Sequence, residues 1–204
     1  MIKLYRHALS GHSHRVELFL SLLELDYSLV DVDLANGEHK SDEFLKLNPS
    51  GQVPVLDDNG VIIYDSNAIL VYLAQKYDDG HWLPGDPVGA AKTQQWLSLA
   101  AGPIAYGPAT ARLITVFGAN YDAAEVIERS DNLLTVINSQ LDNHSFLVGD
   151  GPTIADVAVY AYIAHAPEGN VSLQPHANIR SWLNRVESLK GFVGMQGTSI
   201  GLAA

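Results

Sequence analysis

The order of apolar and polar residues along the first part of the chain predicts short strands that alternate with helices. Residues 2–5 form an apolar run typical of a strand, and Val16, Phe19 and Leu20 recur at the spacing of one helical face. Residues 27–30 form a second apolar run that continues as an alternating pattern. A strand–helix–strand order favours a parallel pair joined by a right-handed crossover.

A hairpin and two further helices complete this part of the chain. Residues 41–45 predict the start of a short helix, and two apolar runs flank the turn Asn59-Gly60. Residues 66–77 carry Ile69 and Leu70 on one face of a predicted helix, with Ser66 as its cap. The resulting order β-α-β-α-β-β-α predicts a compact α/β unit.

The rest of the chain lacks strand signals. Residues 78–87 are dense in turn residues and charge, so we predict a linker there, between an α/β domain at 1–77 and an all-helical domain at 88–204. Glycine and proline at 102–108 predict a kink or break. A last short helix is expected at 192–200. The other helices are predicted over residues 88–101, 109–116, 123–141, 153–162 and 179–189.

The stretch around Pro54 carries the strongest hint of function. A proline cannot donate to a ladder and belongs at the start or edge of a strand, which leaves the backbone of Val53 free to pair with an extended peptide. The helix capped by Ser66 attracts anions through its unpaired N–H groups. These residues predict a peptide-like anionic ligand along the hairpin. An ordinary turn before a capped helix is the alternative.

Composition narrows the classes of function. Apolar residues make up 47% and charged residues 17% of the chain, which is typical of a soluble globular protein. The sequence shows neither a membrane-spanning run nor a signal peptide, so a cytoplasmic protein is expected. The absence of cysteine excludes disulfides, thiolate zinc sites and cysteine nucleophiles. A net charge of −11 argues against nucleic acid and anionic membranes as partners.

Basic residues nevertheless cluster near the N-terminus. Arg6, His7, His12, His14 and Arg15 lie close together in the sequence. Such a basic pocket on an acidic protein is suited to an anionic small molecule. The histidines lack the spacing of helical metal ligands, so no metal site is predicted.

Motifs from both parts of the chain resemble the cytosolic glutathione transferase family. These are NPSGQVPVL at residues 48–56, DSNAIL at 65–70 and GPTIAD at 151–156. Within the family, the chain looks most similar to bacterial serine-type members. The resemblance implies a thioredoxin-like domain followed by a helical domain, in a homodimer that binds glutathione and adds its thiol to electrophiles.

The resemblance also implies which residues bind each part of glutathione. The counterpart of Pro54 is a cis proline, so the Val53 backbone would pair with the cysteinyl part. Gln52 matches a position that touches the glycine carboxylate. Asp65 and Ser66 match the pair that holds the γ-glutamyl amine and carboxylate.

Four residues outside the motifs are placed by position alone. His39 or Lys40 extends the glycine end of the site, and Lys40 lies in a loop of variable register. Tyr106 and Arg112 fall where the family's electrophile site lies, between the domains. Packing beside the kink at residues 103–108 is the alternative role for both.

The catalytic task is to lower the pKa of the glutathione thiol, which is about 8.5 in solution. A hydroxyl group does this by donating a hydrogen bond to the sulfur anion. Ser10 is the predicted donor, because its spacing to Arg15 matches the serine-type pattern. Ser13 is better explained as the N-cap of the first helix, and Tyr5 as a core or interface aromatic. His12 replaces a cysteine of relatives and could also donate to the sulfur or border the electrophile.

The leading hypothesis is a glutathione transferase that acts on small apolar electrophiles. Glutathione-dependent isomerisation or peroxide reduction on the same scaffold is the second hypothesis. A non-catalytic glutathione-binding or interaction protein is the third. Asp156 is interpreted as a structural residue, since a carboxylate at a buried helix start satisfies free N–H groups.

Overall fold

The first domain is built on a mixed sheet of four strands in the order β2-β1-β3-β4. The structure is a computed structural model, and it describes residues 1–202. The strands are β1 (Ile2–Arg6), β2 (Tyr27–Asp31), β3 (Val55–Asp58) and β4 (Val61–Tyr64). β1 and β2 are parallel, whereas β3 runs antiparallel to both β1 and β4. This is the thioredoxin-like arrangement expected from the sequence.

Three helices pack around this sheet: α1 (Gly11–Leu22), α2 (Asp42–Leu47) and α3 (Ser66–Tyr77). α1 crosses between the two parallel strands, and the side chains of Val16 and Phe19 on it are completely buried. The predicted order β-α-β-α-β-β-α is therefore confirmed.

The second domain is helical. Its helices are α4 (Pro87–Ala101), α5 (Thr110–Phe117), α6 (Ala123–Gln140), α7 (Ile154–Ala164) and α8 (Ala177–Glu187). α7 is buried from its first residue to its tenth, because it packs against α4 in its own domain and against α1 and α3 of the first domain. It thus joins the two domains. None of the helices among residues 1–202 is long and apolar enough to cross a membrane.

The kink predicted between α4 and α5 is confirmed. Gly102 ends α4, and a π-helical turn spans Ala105–Ala109. Within that turn Gly107 has φ −102° and ψ −107°, which is not helical, and Pro108 lacks a backbone N–H. The break changes the direction of the chain, so that α5 faces the first domain.

The short helix predicted at 192–200 is absent, and that prediction is wrong. This segment has no regular secondary structure, and side chains of α1 hold its first residues and Gly191 before it. Ser21 Oγ donates to the Gly191 carbonyl at 2.7 Å, and His14 Nε2 donates to the Val193 carbonyl at 2.8 Å. Repeated glycines in the segment disfavour a helix, while the contacts with α1 stabilise the irregular conformation.

Asp156 completes a capping box at the start of α7, as predicted. Its Oδ2 accepts from the Thr153 N–H at 2.9 Å, while Thr153 Oγ1 accepts from the Ala155 N–H at 3.2 Å. Its Oδ1 accepts from the Leu147 N–H at 2.9 Å and from Trp182 Nε1 at 2.8 Å. One buried carboxylate therefore connects the cap of α7, the preceding loop and α8.

Replacing this carboxylate should destabilise the fold. We expect Asp156→Ala to lower the free energy of unfolding by about 3–5 kcal/mol, because several buried donors lose their acceptor together. Urea denaturation followed by circular dichroism measures the change. The matched control is Glu128→Ala, which removes an exposed carboxylate from α6 and should change stability by less than about 0.5 kcal/mol. Equal losses in the two variants would contradict the structural role of Asp156.

Candidate functional site

A cleft of about 690 Å³ opens between the two domains. The first domain contributes the loop before α1, the segment between β2 and α2, the loop before β3, the end of β4 and the start of α3. The second contributes the π-helical turn, α5 and one residue of α7. The predicted site residues that line it are Ser10, His12, His39, Lys40, Gln52, Val53, Pro54, Asp65, Ser66 and Arg112. Within residues 1–202, no group of three or more histidine or acidic side chains is placed to hold a metal ion.

Ser10 is the N-cap of α1. Its Oγ accepts from the Ser13 backbone N–H at 3.2 Å, and its backbone is extended, with φ −89° and ψ 116°. The prediction that Ser13 is the cap is wrong, because the helix begins at Gly11 and Ser13 is buried inside its first turn. Ser13 Oγ instead accepts from the His7 N–H at 3.3 Å. The cap uses Ser10 as an acceptor, so its O–H remains available to donate into the cleft.

Two aromatic candidates lie outside the cleft. Tyr5 packs edge-on against Phe44, with ring centroids 6.4 Å apart, and belongs to a small apolar cluster beside the sheet. Tyr106 is 64% exposed and is not part of the cleft wall. Among Ser10, Ser13 and Tyr5, only Ser10 lines the cleft.

The loop before β3 presents a free stretch of backbone to the cleft. The Val53–Pro54 peptide bond is cis. In the described part of the chain, the backbone N–H and C=O of Val53 form no hydrogen bond. Asn48 holds the loop, because its Nδ2 donates to the Gln52 carbonyl at 2.8 Å and its Oδ1 accepts from the Ser50 N–H at 3.0 Å.

His39 and Lys40 border the same loop. Lys40 Nζ donates to the Gly51 carbonyl at 2.9 Å and to the Ser50 carbonyl at 3.2 Å. These contacts place its positive charge at one end of the cleft, next to the exposed side chain of Gln52.

Asp65, rather than Ser66, is the N-cap of α3, which corrects the predicted cap. Asp65 Oδ1 accepts from the Ala68 N–H at 2.9 Å, and Ser66 is the first residue of the helix. Aspartate and serine are equally good caps, so the sequence did not separate them. Asp65 has φ 67°, a strained value for a residue with a side chain. This backbone leaves its carboxylate exposed at the rim of the cleft.

Arg15 connects α1 to the start of α3, which the sequence did not indicate. Its Nη1 lies 2.8 Å from Ser66 Oγ, 2.9 Å from Asn67 Oδ1 and 3.3 Å from His12 Nδ1. The side chain is only 1% exposed, and no carboxylate within residues 1–202 forms an ion pair with it. Burial lowers the pKa of Arg15 to about 10, so it remains a cation at neutral pH. A buried cation without a counter-charge favours an anion at the adjacent Ser66.

His12 is neutral in this environment. Burial and the adjacent Arg15 lower the pKa of His12 to about 3. Its ring packs edge-on against Tyr162 of α7, with centroids 5.0 Å apart. The imidazole in the first turn of α1 is therefore uncharged at neutral pH.

Arg112 links the helical domain to the loop that carries Ser10. Its Nη1 donates to the Leu9 carbonyl at 2.6 Å, and its Nε donates to Glu168 Oε2 at 2.6 Å. His165 Nδ1 lies 2.7 Å from the other oxygen of Glu168. Burial would raise the pKa of Glu168, but the hydrogen bonds from His165 and Arg112 outweigh it and hold the pKa below its usual value.

Apart from Arg112, the side of the cleft formed by the helical domain is lined mainly by apolar and aromatic side chains. Leu113 and Phe117 of α5 are 41% and 48% exposed, and both line the cleft. Ala109 and Tyr162 complete this wall, and Leu9 of the first domain also lines the cleft. The cleft thus has a polar half on the first domain and an apolar half on the second.

Two family models match the chain. The model described as "Glutathione S-transferase, N-terminal domain" matches residues 1–75, and the one described as "Glutathione S-transferase, C-terminal domain" matches residues 100–190. The chain belongs to the glutathione S-transferase family. The resemblance inferred from the three motifs is confirmed, and the serine-type subclass stays a prediction.

The similarity to known proteins extends over nearly the whole chain. Glutathione S-transferase 3 of Zea mays is 33% identical over 94% of this chain and 91% of its own length. Disulfide-bond oxidoreductase YfcG of Escherichia coli (strain K12) is 31% identical over 92% of this chain and 91% of its own length. The crystal structure of a glutathione S-transferase from Pseudomonas fluorescens Pf-5 superposes with a TM-score of 0.90, at 32% identity, over 95% of this chain and 98% of that one.

Neutralising Glu168 should destabilise the protein in a pH-dependent way. We expect Glu168→Gln to lower the free energy of unfolding by about 3 kcal/mol near pH 7, because Arg112 is left as an unpaired buried cation. The pKa of Glu168 is lowered by folding, so its contribution is fully present above the unfolded value of about 4.3 and is lost as the pH falls through the folded value. Urea denaturation near pH 7 and near pH 3.5 measures both effects.

The control is an exposed ion pair of the same type. Glu125 and Arg129 pair on α6 with side chains 66% and 46% exposed, so Glu125→Gln should change stability by less than about 0.5 kcal/mol. A deficit of Glu168→Gln that stays constant down to about pH 3.5 would contradict the ionised Glu168–Arg112 pair.

Proposed function

We propose that this family member is an enzyme that transfers small apolar electrophiles to the sulfur of glutathione. The observation that carries the proposal is the position of Ser10 in the cleft. Its oxygen accepts from the Ser13 N–H, which leaves the hydroxyl hydrogen free for a sulfur anion at the N-terminus of α1.

The γ-glutamyl end of glutathione fits the start of α3. The exposed carboxylate of Asp65 suits the ammonium group, and the hydroxyl of Ser66 with the first N–H groups of α3 suits the carboxylate. Arg15 supports this anion from behind, since its Nη1 lies 2.8 Å from Ser66 Oγ. The strained backbone of Asp65 is consistent with a binding role.

The cysteinyl and glycine parts fit the loop before β3. The free backbone of Val53 would pair with the cysteinyl amide, as an added strand pairs with a sheet edge. Gln52, His39 and Lys40 would hold the glycine carboxylate at the basic end of the cleft.

In this arrangement the thiol ionises and then attacks. The thiol proton leaves to solvent, and the Ser10 hydroxyl and the positive end of α1 favour the thiolate. The thiolate forms a bond to an electrophilic carbon, and the leaving group, such as a halide, departs with the bonding electrons. The apolar wall of Leu113 and Phe117 supports apolar electrophiles, while Tyr106 lies outside the cleft and is no part of this proposal.

Thiol–disulfide exchange is the second candidate, because a relative that is 31% identical bears the name disulfide-bond oxidoreductase. The glutathione thiolate would attack a disulfide sulfur, form a mixed disulfide and release the other sulfur as a thiolate. The chain has no cysteine, so glutathione must supply the reactive sulfur. A panel of aryl halides, unsaturated carbonyls, peroxides and disulfides separates this activity from conjugation, isomerisation and peroxide reduction, and inactivity on all of them would favour a non-catalytic binding protein.

The proposal includes a homodimer in the cytoplasm. β4 is an edge strand of the sheet, and its side chains Val61, Ile62 and Tyr64 are 46%, 36% and 45% exposed. Exposed apolar residues on a sheet edge are typical of a surface that another chain covers.

Removal of the Ser10 hydroxyl tests the proposed catalytic group. Ser10→Ala should raise the thiol pKa of bound glutathione by about 1–2 units, because the thiolate loses a hydrogen bond. Turnover of an aryl halide at neutral pH should fall by about tenfold or more. Ultraviolet titration of the bound thiolate and initial rates measure these changes.

Ser10→Thr and Ser13→Ala are the matched controls. Ser10→Thr keeps both the cap and the hydroxyl donor and should retain a lowered thiol pKa. Ser13→Ala removes a buried hydroxyl that does not line the cleft, so stability should fall without a change in thiol pKa. Unchanged titration and rates in Ser10→Ala would remove Ser10 from the role.

Asp65 is expected to bind the γ-glutamyl ammonium. Asp65→Asn should weaken glutathione binding by roughly 10- to 100-fold, as expected for a lost hydrogen bond to a charged group. Isothermal titration calorimetry with glutathione and with cysteinylglycine, which lacks the γ-glutamyl group, measures the difference. The substitution should hardly change the affinity for cysteinylglycine. Equal weakening of both ligands would show that Asp65 does not contact this group.

A further inference from the structure

His12 lies two residues after Ser10, in the first turn of α1, and borders the same cleft. We propose that His12 donates a second hydrogen bond to the glutathione sulfur through its Nε2–H, and that Arg15 holds the imidazole in this tautomer. The inference rests on the proposed function, because it concerns the thiolate at the same site. It makes His12 a catalytic donor and Arg15 a positioning residue.

The tautomer follows from the groups around Nδ1. Arg15 Nη1 lies 3.3 Å and Ser66 Oγ 3.4 Å from His12 Nδ1. A guanidinium only donates hydrogen bonds, so a proton on Nδ1 would face another N–H. Arg15 Nη1 also makes shorter contacts with Ser66 and with Asn67, so its bond to His12 is weak. Ser66 Oγ already accepts from Arg15, and a donor beside Nδ1 favours the neutral tautomer that carries its single proton on Nε2.

The charges around His12 prevent it from acting as a base. Arg15 on α1 is a buried cation, Ser66 on α3 is uncharged, and Tyr162 on α7 is a buried phenol, whereas Asp65 is exposed at the rim. Burial disfavours the charged imidazole, and protonation would also place a second cation beside Arg15, so the pKa of His12 is lowered to about 3. His12 is therefore a neutral donor across the neutral pH range.

Packing against Tyr162 restrains the ring of His12. The ring of Tyr162 meets that of His12 at 72°, and a Cβ at Gly11 would lie 2.7 Å from Tyr162 ring atoms. The close approach of Tyr162 to Gly11 holds the first turn of α1 beneath it. Among the residues that the structure describes, no acceptor pairs with His12 Nε2, so its N–H is free for a ligand in the cleft.

The proton balance distinguishes a donor from a base. With Ser10 and His12 both donating, neither group accepts the thiol proton, which passes to solvent while the sulfur keeps the electron pair. Binding of glutathione should therefore release up to one proton per chain to the buffer. A base would retain that proton on the protein.

The first experiment compares variants of His12 by ultraviolet titration of bound glutathione. His12→Leu should raise the thiol pKa by about one unit, and His12→Gln, which restores an N–H near the position of Nε2, should recover most of the shift. S-methylglutathione has no ionisable thiol, so its affinity should stay within about twofold in both variants. An unchanged thiol pKa in His12→Leu, or no recovery in His12→Gln, would overturn the assignment.

The second experiment uses the native chain and does not depend on the folding of a variant. Calorimetry in two buffers of different ionisation enthalpy measures proton release, and nitrogen-15 spectra of labelled histidine report which ring nitrogen carries the proton. We expect release of the thiol proton and a neutral His12 protonated at Nε2. A bound thiolate without proton release, or a His12 protonated at Nδ1, would overturn the proposal.

The two proposals fail in different ways. If the native chain neither binds glutathione nor lowers its thiol pKa, the proposed function fails. If the native chain lowers the thiol pKa and Ser10→Ala reverses it, whereas His12→Leu has no effect, only the role of His12 fails.

Discussion

The hydrogen bond from Arg112 to the Leu9 carbonyl connects the helical domain to the residue before Ser10. It acts together with Tyr162, which packs on Gly11 at the other side of the same turn. The start of α1 is therefore held by two contacts from the helical domain, and the proposed sulfur position depends on where this turn lies. Catalytic geometry of this kind tolerates little displacement, so we infer that the helical domain positions the thiol as well as the electrophile.

The cleft also places a buried cation, Arg15, where a bound anion would neutralise its charge. The chain carries a net charge of −11, yet Arg15 is buried beside Ser66 without a carboxylate partner among the described residues. Burial of an unpaired cation is unfavourable, and neutral acceptors on Ser66 and Asn67 offset only part of that cost. An anionic ligand at the start of α3 would supply the missing charge. Burial and the same cation keep His12 neutral, so Arg15 influences both the γ-glutamyl end of the site and the proposed sulfur position.

Local patterns predicted much of the fold and of the polar half of the cleft. The hairpin around Pro54 and the capping box of Thr153 and Asp156 are encoded within a few residues, and the structure has both. The N-cap of α1 was harder to predict, because Ser10 and Ser13 are chemically equivalent. Only the start of the helix at Gly11 decides between them. The helix expected at 192–200 is absent because glycines lower its helical propensity and contacts with α1 hold the segment in another conformation.

Patterns in the sequence did not predict the contacts between residues that are far apart along the chain. Arg15 meets Ser66 across 51 positions of the sequence, and Arg112 meets Leu9 across 103. Their pairing depends on how α1, α3 and α5 pack, which no spacing in the sequence records. The basic cluster near the N-terminus indicated an anion site, but it did not show that Arg15 is buried.

The most direct test of the account is a crystal structure of the chain soaked with glutathione. We expect the sulfur within about 3.2 Å of Ser10 Oγ at the start of α1, with the γ-glutamyl carboxylate on Ser66 and the cysteinyl amide paired with Val53. A sulfur that meets no side-chain donor from the first turn of α1, or glutathione bound outside this cleft, would contradict it.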